Sequence, residues 1–322
     1  MNRHGRPDSE PAGVVAEGLW KSYGETAAVG DLSFTARPGE VMGLLGPNGA
    51  GKTTTIKMLT TLLPIDEGRA SVAGFDVAAQ PHEVRQVIGL AGQTATVDEK
   101  LTARENLELF GRLYKLPKSI RRDRVGWLIE RFELGEFANR PAATYSGGQR
   151  RRLDVVASLI AAPPVLFLDE PTTGLDPRTR SELWNEIRRL AREGTTVVLT
   201  TQYLEEADQL SDRIVIIDEG VVKAAGTAAE LKDDLERNVL EVRLESASDV
   251  DRVATVLADV APDLSTDPER SQVQIPMPDG ASRSMEVLRR LDNAQIGIVD
   301  FQLRRPTLDD VFLALTTTGA AQ

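Results

Sequence analysis

The feature that most constrains this chain is an eight-residue stretch, Gly46-Pro47-Asn48-Gly49-Ala50-Gly51-Lys52-Thr53, which fits G-x-x-x-x-G-K-[ST]. Its context is what gives it meaning. The apolar run Glu40-Val41-Met42-Gly43-Leu44-Leu45 leads in as a strand, and a helical run from Thr54 to Leu63 follows. Glycines let a backbone wrap closely around phosphates, and amides at a helix N-terminus point at the anion. Lys52 would reach the outer phosphates, and the Thr53 hydroxyl would serve Mg²⁺.

The surrounding pattern is that of an α/β chain with a mostly parallel sheet. Val165-Leu166-Phe167-Leu168 is continuously apolar, as a strand covered on both faces must be. Thr196 to Thr200 and Arg213 to Ile217 repeat that signature, while Gln93 to about Ile160 turns helical and reads as an insertion. The spacing therefore predicts a loose tail over residues 1–11, a nucleotide-binding domain over 12–230 with its helical insertion at about 93–160, and an accessory domain over 231–322. Within the accessory domain, a charged helix at Glu230 to Asn238 precedes strands at Val239 to Leu244, Gln272 to Pro276 and Ile296 to Leu303. Helical stretches at Asp249 to Val260 and Arg283 to Leu291 separate them, and Leu308, Val311, Phe312 and Leu315 mark a final amphipathic helix. Such an order suggests a small α+β unit of ferredoxin-like type.

Composition removes several alternatives. Cysteine is absent, so neither a disulfide framework nor a thiolate metal site is available, and His4 and His82 are the only imidazoles. A net charge of −11 disfavours a polyanionic partner, so no nucleic acid is expected. The best apolar stretch, Val155 to Leu168, is broken by Ser158 and Pro163-Pro164, which excludes a membrane span there. Met1 to Pro11 has no apolar core and fails as a signal peptide, so a cytoplasmic chain is expected.

Asp169 and Glu170 follow the Val165–Leu168 strand directly. Two carboxylates thus emerge at the carboxyl end of a parallel sheet, where such folds bind ligands. Read alone, the pair is a helix cap; beside a phosphate loop, Asp169 would hold Mg²⁺ and Glu170 would polarise an attacking water. Ser146-Gly147-Gly148-Gln149 opens a helix whose apolar face is Leu153, Val156, Ala157 and Ile160. By itself it is either a flexible turn or a helix end with bare amides for an anion.

Together, in this order and spacing, the three elements resemble the ATP-binding-cassette family over about residues 14 to 230. The resemblance implies a P-loop NTPase cassette, with a RecA-like, mostly parallel sheet core, an antiparallel β part and a helical insertion, plus the small α+β C-terminal appendage. It implies ATP and Mg²⁺ as cofactors and a homodimer in which Ser146, Gly147, Gly148 and Gln149 of one subunit close over the nucleotide held by the loop Gly46 to Thr54 of the other. Gln93 stands where the family has a glutamine that contacts Mg²⁺ and couples the insertion to a membrane partner; the other reading is an ordinary loop glutamine. Asp176, in Gly174-Leu175-Asp176, matches a segment linking the two sites, with a turn after Pro171 as the simpler reading. Tyr23 occupies the place of an aromatic residue stacked on adenine, or else packs as core.

One position departs from the family. Thr200-Thr201-Gln202-Tyr203 carries Gln202 where most members have a histidine that contacts the γ-phosphate. An amide still donates a hydrogen bond but takes up no proton near neutral pH, so Gln202 is expected to sense the phosphate while Glu170 alone activates water. Tyr145 also replaces the usual leucine before Ser146. The Thr200–Asp208 segment, the Gly92-Gln93 neighbourhood and the ending Pro306 to Leu313 are similar to the daunorubicin-resistance branch of drug-export ATPases. That implies a peripheral subunit on the cytoplasmic face of the membrane, a separate polytopic permease and an amphiphilic, anthracycline-like cargo. The competing readings are a soluble cassette ATPase of translation or DNA repair, a nucleotide sensor with little turnover, and a subunit moving a lipid-like or imported cargo.

Overall fold

The apolar runs that the sequence offers as central strands lie side by side. In the computed structural model, which describes residues 13–93, 96–233, 238–277 and 281–317, the chain opens with β1 (Val14–Tyr23), β2 (Thr26–Ala36), β3 (Val41–Leu45) and α1 (Lys52–Leu59). There follow β4 (Glu67–Val72), β5 (Phe75–Asp76), α2 (Pro81–Val87) and β6 (Ile88–Ala91), then three helices, α3 (Ala103–Leu113), α4 (Lys118–Arg131) and α5 (Gly147–Ser158). Next come β7 (Val165–Asp169), α6 (Pro177–Arg192), β8 (Thr196–Thr201), α7 (Leu204–Leu210), β9 (Arg213–Asp218) and β10 (Val221–Gly226). The chain divides into two compact units between Ala228 and Ala229, within the short helix α8 (Ala228–Asp233).

The main sheet of the first unit has the order β10-β9-β3-β8-β7-β6. Its β9, β3, β8, β7 and β6 run parallel, and β10 is an antiparallel edge. Alternation sorts their side chains into two layers. Val165, Phe167, Met42 and Leu44 pack with α1 and the β1–β2 strands on one face, whereas Leu166, Leu168, Val197 and Leu199 pack with α5 and α6 on the other. That double cover is why these strands carry unbroken apolar runs. Register then fixes the site: Leu45 lies opposite Thr201, Asp169 opposite Thr200, and Ala91 opposite Leu168. The residues that follow, Gly46, Glu170, Gln202 and Gly92, therefore emerge along one edge of the sheet.

β1, β2, β4 and β5 form a separate antiparallel sheet. Helix α1 ends earlier than the sequence suggests, at Leu59 rather than Leu63. Thr61 turns left-handed at φ 63°, and the Leu62 amide closes the turn by donating to the Lys57 carbonyl at 2.8 Å. Tyr145 is buried, its ring edge-on to Phe137 at 4.8 Å, and its hydroxyl lies 2.7 Å from the Phe137 carbonyl while accepting from the Ala103 amide at 3.2 Å. The replacement of leucine thus joins the segment before Ser146 to the start of α3.

The second unit contains β11 (Asn238–Leu244), α9 (Val250–Val256), β12 (Ser265–Asp267), β13 (Gln272–Met277), α10 (Ala281–Asn293), β14 (Ile298–Arg304) and α11 (Leu308–Thr317). All four strands pair antiparallel in the order β12-β13-β11-β14, the split βαβ arrangement of ferredoxin-like units. Its core joins Leu240 and Val242 of β11 to Val253 of α9, Ile275 of β13 and Val287 of α10. The charged helix expected up to Asn238 is described as far as Asp233, residues 234–237 lie outside the described residues, and Asn238 instead pairs with Met277 at the start of β11. The tail expected over residues 1–11 also lies outside them. Among the described residues no helix is long and apolar enough to cross a membrane.

Candidate nucleotide site

The loop between β3 and α1 is built around glycines the fold itself requires. A Cβ on Gly46 would stand 2.1 Å from the Ile217 carbonyl oxygen. Gly51, the N-cap of α1, has φ 99°, and a Cβ there would meet the Ala28 carbonyl oxygen at 2.4 Å. Gly49 also has positive φ, while Pro47, Asn48 and buried Ala50 complete the turn before Lys52, Thr53 and Thr54 start the helix. Lys52 is 4% exposed, and its Nζ donates to the carbonyls of Gly46 at 2.8 Å and Pro47 at 2.9 Å. Burial pulls the ammonium below its ordinary pKa, and the carboxylates of Glu170 and Asp169 work in the opposite direction. Glu170 Oε1 is 3.9 Å from Nζ.

A compact oxygen cluster lies beside that ammonium. Thr53 Oγ1 donates to Asp169 Oδ1 at 3.1 Å and accepts from Gln93 Nε2 at 3.0 Å. Thr200 Oγ1 also donates to Asp169 Oδ1, at 2.6 Å. Thr53, Gln93 and Asp169, which the sequence offers for Mg²⁺, thus form one hydrogen-bonded group contributed by α1, the loop after β6 and the end of β7. A hydroxyl, an amide and one carboxylate are hard oxygen donors of the kind Mg²⁺ takes together with water and substrate phosphates. Among the described residues no cluster of three or more His, Cys, Asp or Glu side chains gathers as an alternative metal cage.

Glu170 leaves the sheet in a left-handed conformation, φ 52°, which costs an L-residue about 1–2 kcal/mol. Its amide donates to the Thr200 hydroxyl at 2.9 Å and lies 3.2 Å from the Thr200 carbonyl, and Thr173 Oγ1 donates to its Oε2 at 3.2 Å. The strained turn is therefore held from β8 and from the segment after it. Such a carboxylate, next to an ammonium and a Mg²⁺-suited cluster, can orient a water and accept its proton.

The remaining sequence candidates gather elsewhere. Ser146 caps α5: its Oγ accepts from the Gln149 amide at 3.2 Å, and the Ser146 amide donates to Gln149 Oε1 at 3.1 Å. Asp176 caps α6 through the amides of Arg178 and Thr179 and accepts from Thr179 Oγ1 at 2.7 Å. Those bonds hold its carboxyl below the usual carboxylate range. Ser146, Gly147, Gly148, Gln149 and Asp176 line a single cleft of about 940 Å³ with Glu133 and Glu136 from beyond α4. Gln202, half-buried, follows β8, and Tyr23, 52% exposed, ends β1 beside its turn into β2. His82 is on the surface, with Nδ1 2.9 Å from Arg85 Nη2, and His4 lies outside the described residues.

Several buried polar residues escape a reading of the sequence. Arg151 and Asp154 on α5 lie behind the Asp169–Glu170 turn, and Thr200 supports it from β8. Glu206, fully buried on α7, accepts from Thr172 Oγ1 at 2.8 Å and Trp184 Nε1 at 2.9 Å. Asp154 does leave a trace, a lone carboxylate within the apolar stretch Leu153 to Ala157. Arg151 leaves none, since it sits inside Arg150-Arg151-Arg152, which reads as a solvated face.

Comparison with known proteins gives the family. The ABC transporter family profile matches residues 29–173, and the C-terminal domain of DrrA1-3-like ATP-binding proteins matches residues 226–316. The chain is 51% identical to the daunorubicin resistance ATP-binding protein DrrA2 of Streptomyces coeruleorubidus, over 94% of each chain. It is 46% identical to the doxorubicin resistance ATP-binding protein DrrA of Mycobacterium tuberculosis, over 94% of this chain and 93% of that one. Among solved structures, an ATP-binding subunit of an ABC transporter superposes with a TM-score of 0.63 at 29% identity, covering 69% of this chain and 92% of its own. A dimeric post-hydrolysis cassette bound to ADP and Pi gives 0.61 at 27%, covering 66% and 98%. The chain therefore belongs to the ATP-binding subunits of ATP-binding-cassette transporters, with a DrrA-like C-terminal domain, and hydrolyses ATP in a reaction coupled to transport.

Proposed function

We propose that this chain energises efflux of an amphiphilic, anthracycline-like drug through a separate polytopic permease, working as a nucleotide-sandwich homodimer on the cytoplasmic face of the membrane. What carries the reading is similarity that spans both units: relatives named for daunorubicin and doxorubicin resistance are 46–51% identical to it over 94% of its length. In the first unit, Lys52 and the amides of Gly46 to Thr54 hold the phosphates, and Tyr23 stacks on the adenine. Thr53, Asp169 and Gln93 would hold Mg²⁺, which neutralises charge on the phosphates. Glu170 orients the attacking water and receives its proton, and the Gln202 amide donates to the γ-phosphate.

The glycines of Ser146-Gly147-Gly148 support the dimer. Nothing lies within 4 Å of a Cβ at Gly147, and a Cβ at Gly148 meets only ordinary contacts from 3.5 Å outwards. Neither has the positive φ that requires glycine. Unlike Gly46 and Gly51, these two glycines answer no need of their own chain, and they leave their own amides, at the head of α5, open to a nucleotide held by a second subunit. The segment around Asp176, in the same cleft, then lies at the same junction. Leu109 and Leu113 on α3 and Ile120 on α4 are exposed apolar side chains on the helical insertion and offer the permease a surface to grip.

Tagged Glu170→Gln protein, solubilised gently from its native cells with Mg-ATP, tests the partnership. A polytopic membrane protein recovered in near-equal amount, as identified by mass spectrometry, is the expected outcome. Recovery of ribosomes or DNA instead would replace export by the soluble-cassette reading.

A further inference from the structure

Arg151 is 10% exposed, and its five N–H donors face five acceptors from three segments. Nη2 donates to the carbonyls of Asp169 at 2.7 Å and Glu170 at 3.0 Å, and Nε to that of Pro171 at 3.0 Å. Nη1 donates to the Gly92 carbonyl and lies 3.5 Å from Asp154 Oδ2. Asp154, 1% exposed, accepts through Oδ1 from the amide of Thr96 at 2.8 Å and from its hydroxyl at 2.6 Å. One guanidinium thus joins the helix headed by Ser146 to the turn that aims Glu170, and the Arg151–Asp154 pair brackets Gln93 through Gly92 and Thr96. Burying a charge this way is costly unless every donor is matched, and here the match fixes geometry that apolar packing would leave loose.

We infer that Arg151 is a positioning residue that couples the helix behind Ser146–Gly148 to Glu170 and Gln93 of the same chain, so that engagement of this helix by a partner's nucleotide sets the hydrolytic geometry of the chain's own site. The inference rests on the nucleotide-sandwich reading. It makes ATP turnover cooperative: the occupied site of one subunit reaches the catalytic carboxylate of the other through a rigid brace, and a looser brace uncouples them. Lysine cannot substitute, because a single ammonium does not span carbonyls on both sides of the turn.

Steady-state ATP hydrolysis by the full-length chain across ATP concentrations tests this, with Arg151→Lys, Arg151→Gln and the milder Thr96→Val beside the wild type. Expected for both Arg151 variants are a kcat lower by about tenfold or more, a KM for ATP within about twofold, and a Hill coefficient falling to about 1. Thr96→Val, which removes one hydroxyl at the far end of the brace, should show the same split more weakly and keeps the test open if Arg151 variants fold poorly. Retained kcat and cooperativity in folded variants, or a parallel rise in KM, would overturn the inference. Lys52→Ala separates the two levels: if it leaves turnover intact, the site assignment itself fails, whereas loss of turnover there with unaltered Arg151 and Thr96 variants defeats only the brace.

Discussion

Glu206 shows how a single buried carboxylate can set a pH dependence. Burial raises its pKa above the ordinary carboxylate range, and hydrogen bonds from Thr201, Trp184 and Thr172 together with the nearby Arg180 recover part of the loss. The native state therefore keeps the proton at pH values where the unfolded chain has released it. Stability contributed at this site is full at low pH and is lost as pH rises from the ordinary carboxylate range through the native value. Glu206→Gln keeps an acceptor for Thr172 and Trp184 but has no proton to lose. Urea titrations at a series of pH values should show the variant gaining on the wild type across that interval and no further above it; a difference constant with pH would contradict the assignment. At Gln202 the expectation concerns rate: Gln202→Ala should lower kcat for ATP by about tenfold or more, about 1.5–3 kcal/mol for one hydrogen bond to a charged phosphate, and unchanged hydrolysis and transport would remove it from the site.

At the scale of elements, what was legible was local. A glycine-rich loop between an apolar strand and a helix, carboxylates at a strand end and a Ser-x-x-Gln cap are contained in windows of a few residues, so the sequence displays them directly. The brace was not legible, because Arg151 finds its acceptors 18 residues away at Asp169 and 59 residues away at Gly92, and only folding brings them together. The early end of α1 was hidden for another reason: Thr61 is a left-handed residue that no glycine announces. The three-residue strand β12 is too short to show alternation. Tyr145 was visible as a substitution, but its bond to the Ala103 amide was not. Tyr145→Phe leaves that amide without a buried partner, while the Phe137 carbonyl keeps the Arg140 amide at 3.0 Å, and should cost about 1–3 kcal/mol of unfolding free energy by urea titration. No measurable loss would mean that the ring alone accounts for the residue.

For the whole molecule, the parallel sheet places Lys52, Thr53, Gln93, Asp169 and Glu170 along one edge, while the helix cap at Ser146 and Asp176 lines another cleft. On the proposed sandwich, two copies bring both halves to one nucleotide. Gly147→Asp separates folding from assembly: with nothing near its Cβ, and with an acidic side chain in the first turn of α5, stability should stay within about 0.5 kcal/mol. The added carboxylate would still repel a partner's phosphates, so light scattering should show Mg-ATP-dependent dimers lost in a Glu170→Gln background; persistence of those dimers would argue against the sandwich. The most direct test of the account is phosphate release from Mg-ATP by the purified full-length chain and by its Glu170→Gln variant, with nucleotide binding followed in both. Equal binding and a rate lower by about a hundredfold or more in the variant are the expected result. Equal rates would show that Glu170 does not activate the water and that the catalytic centre lies elsewhere.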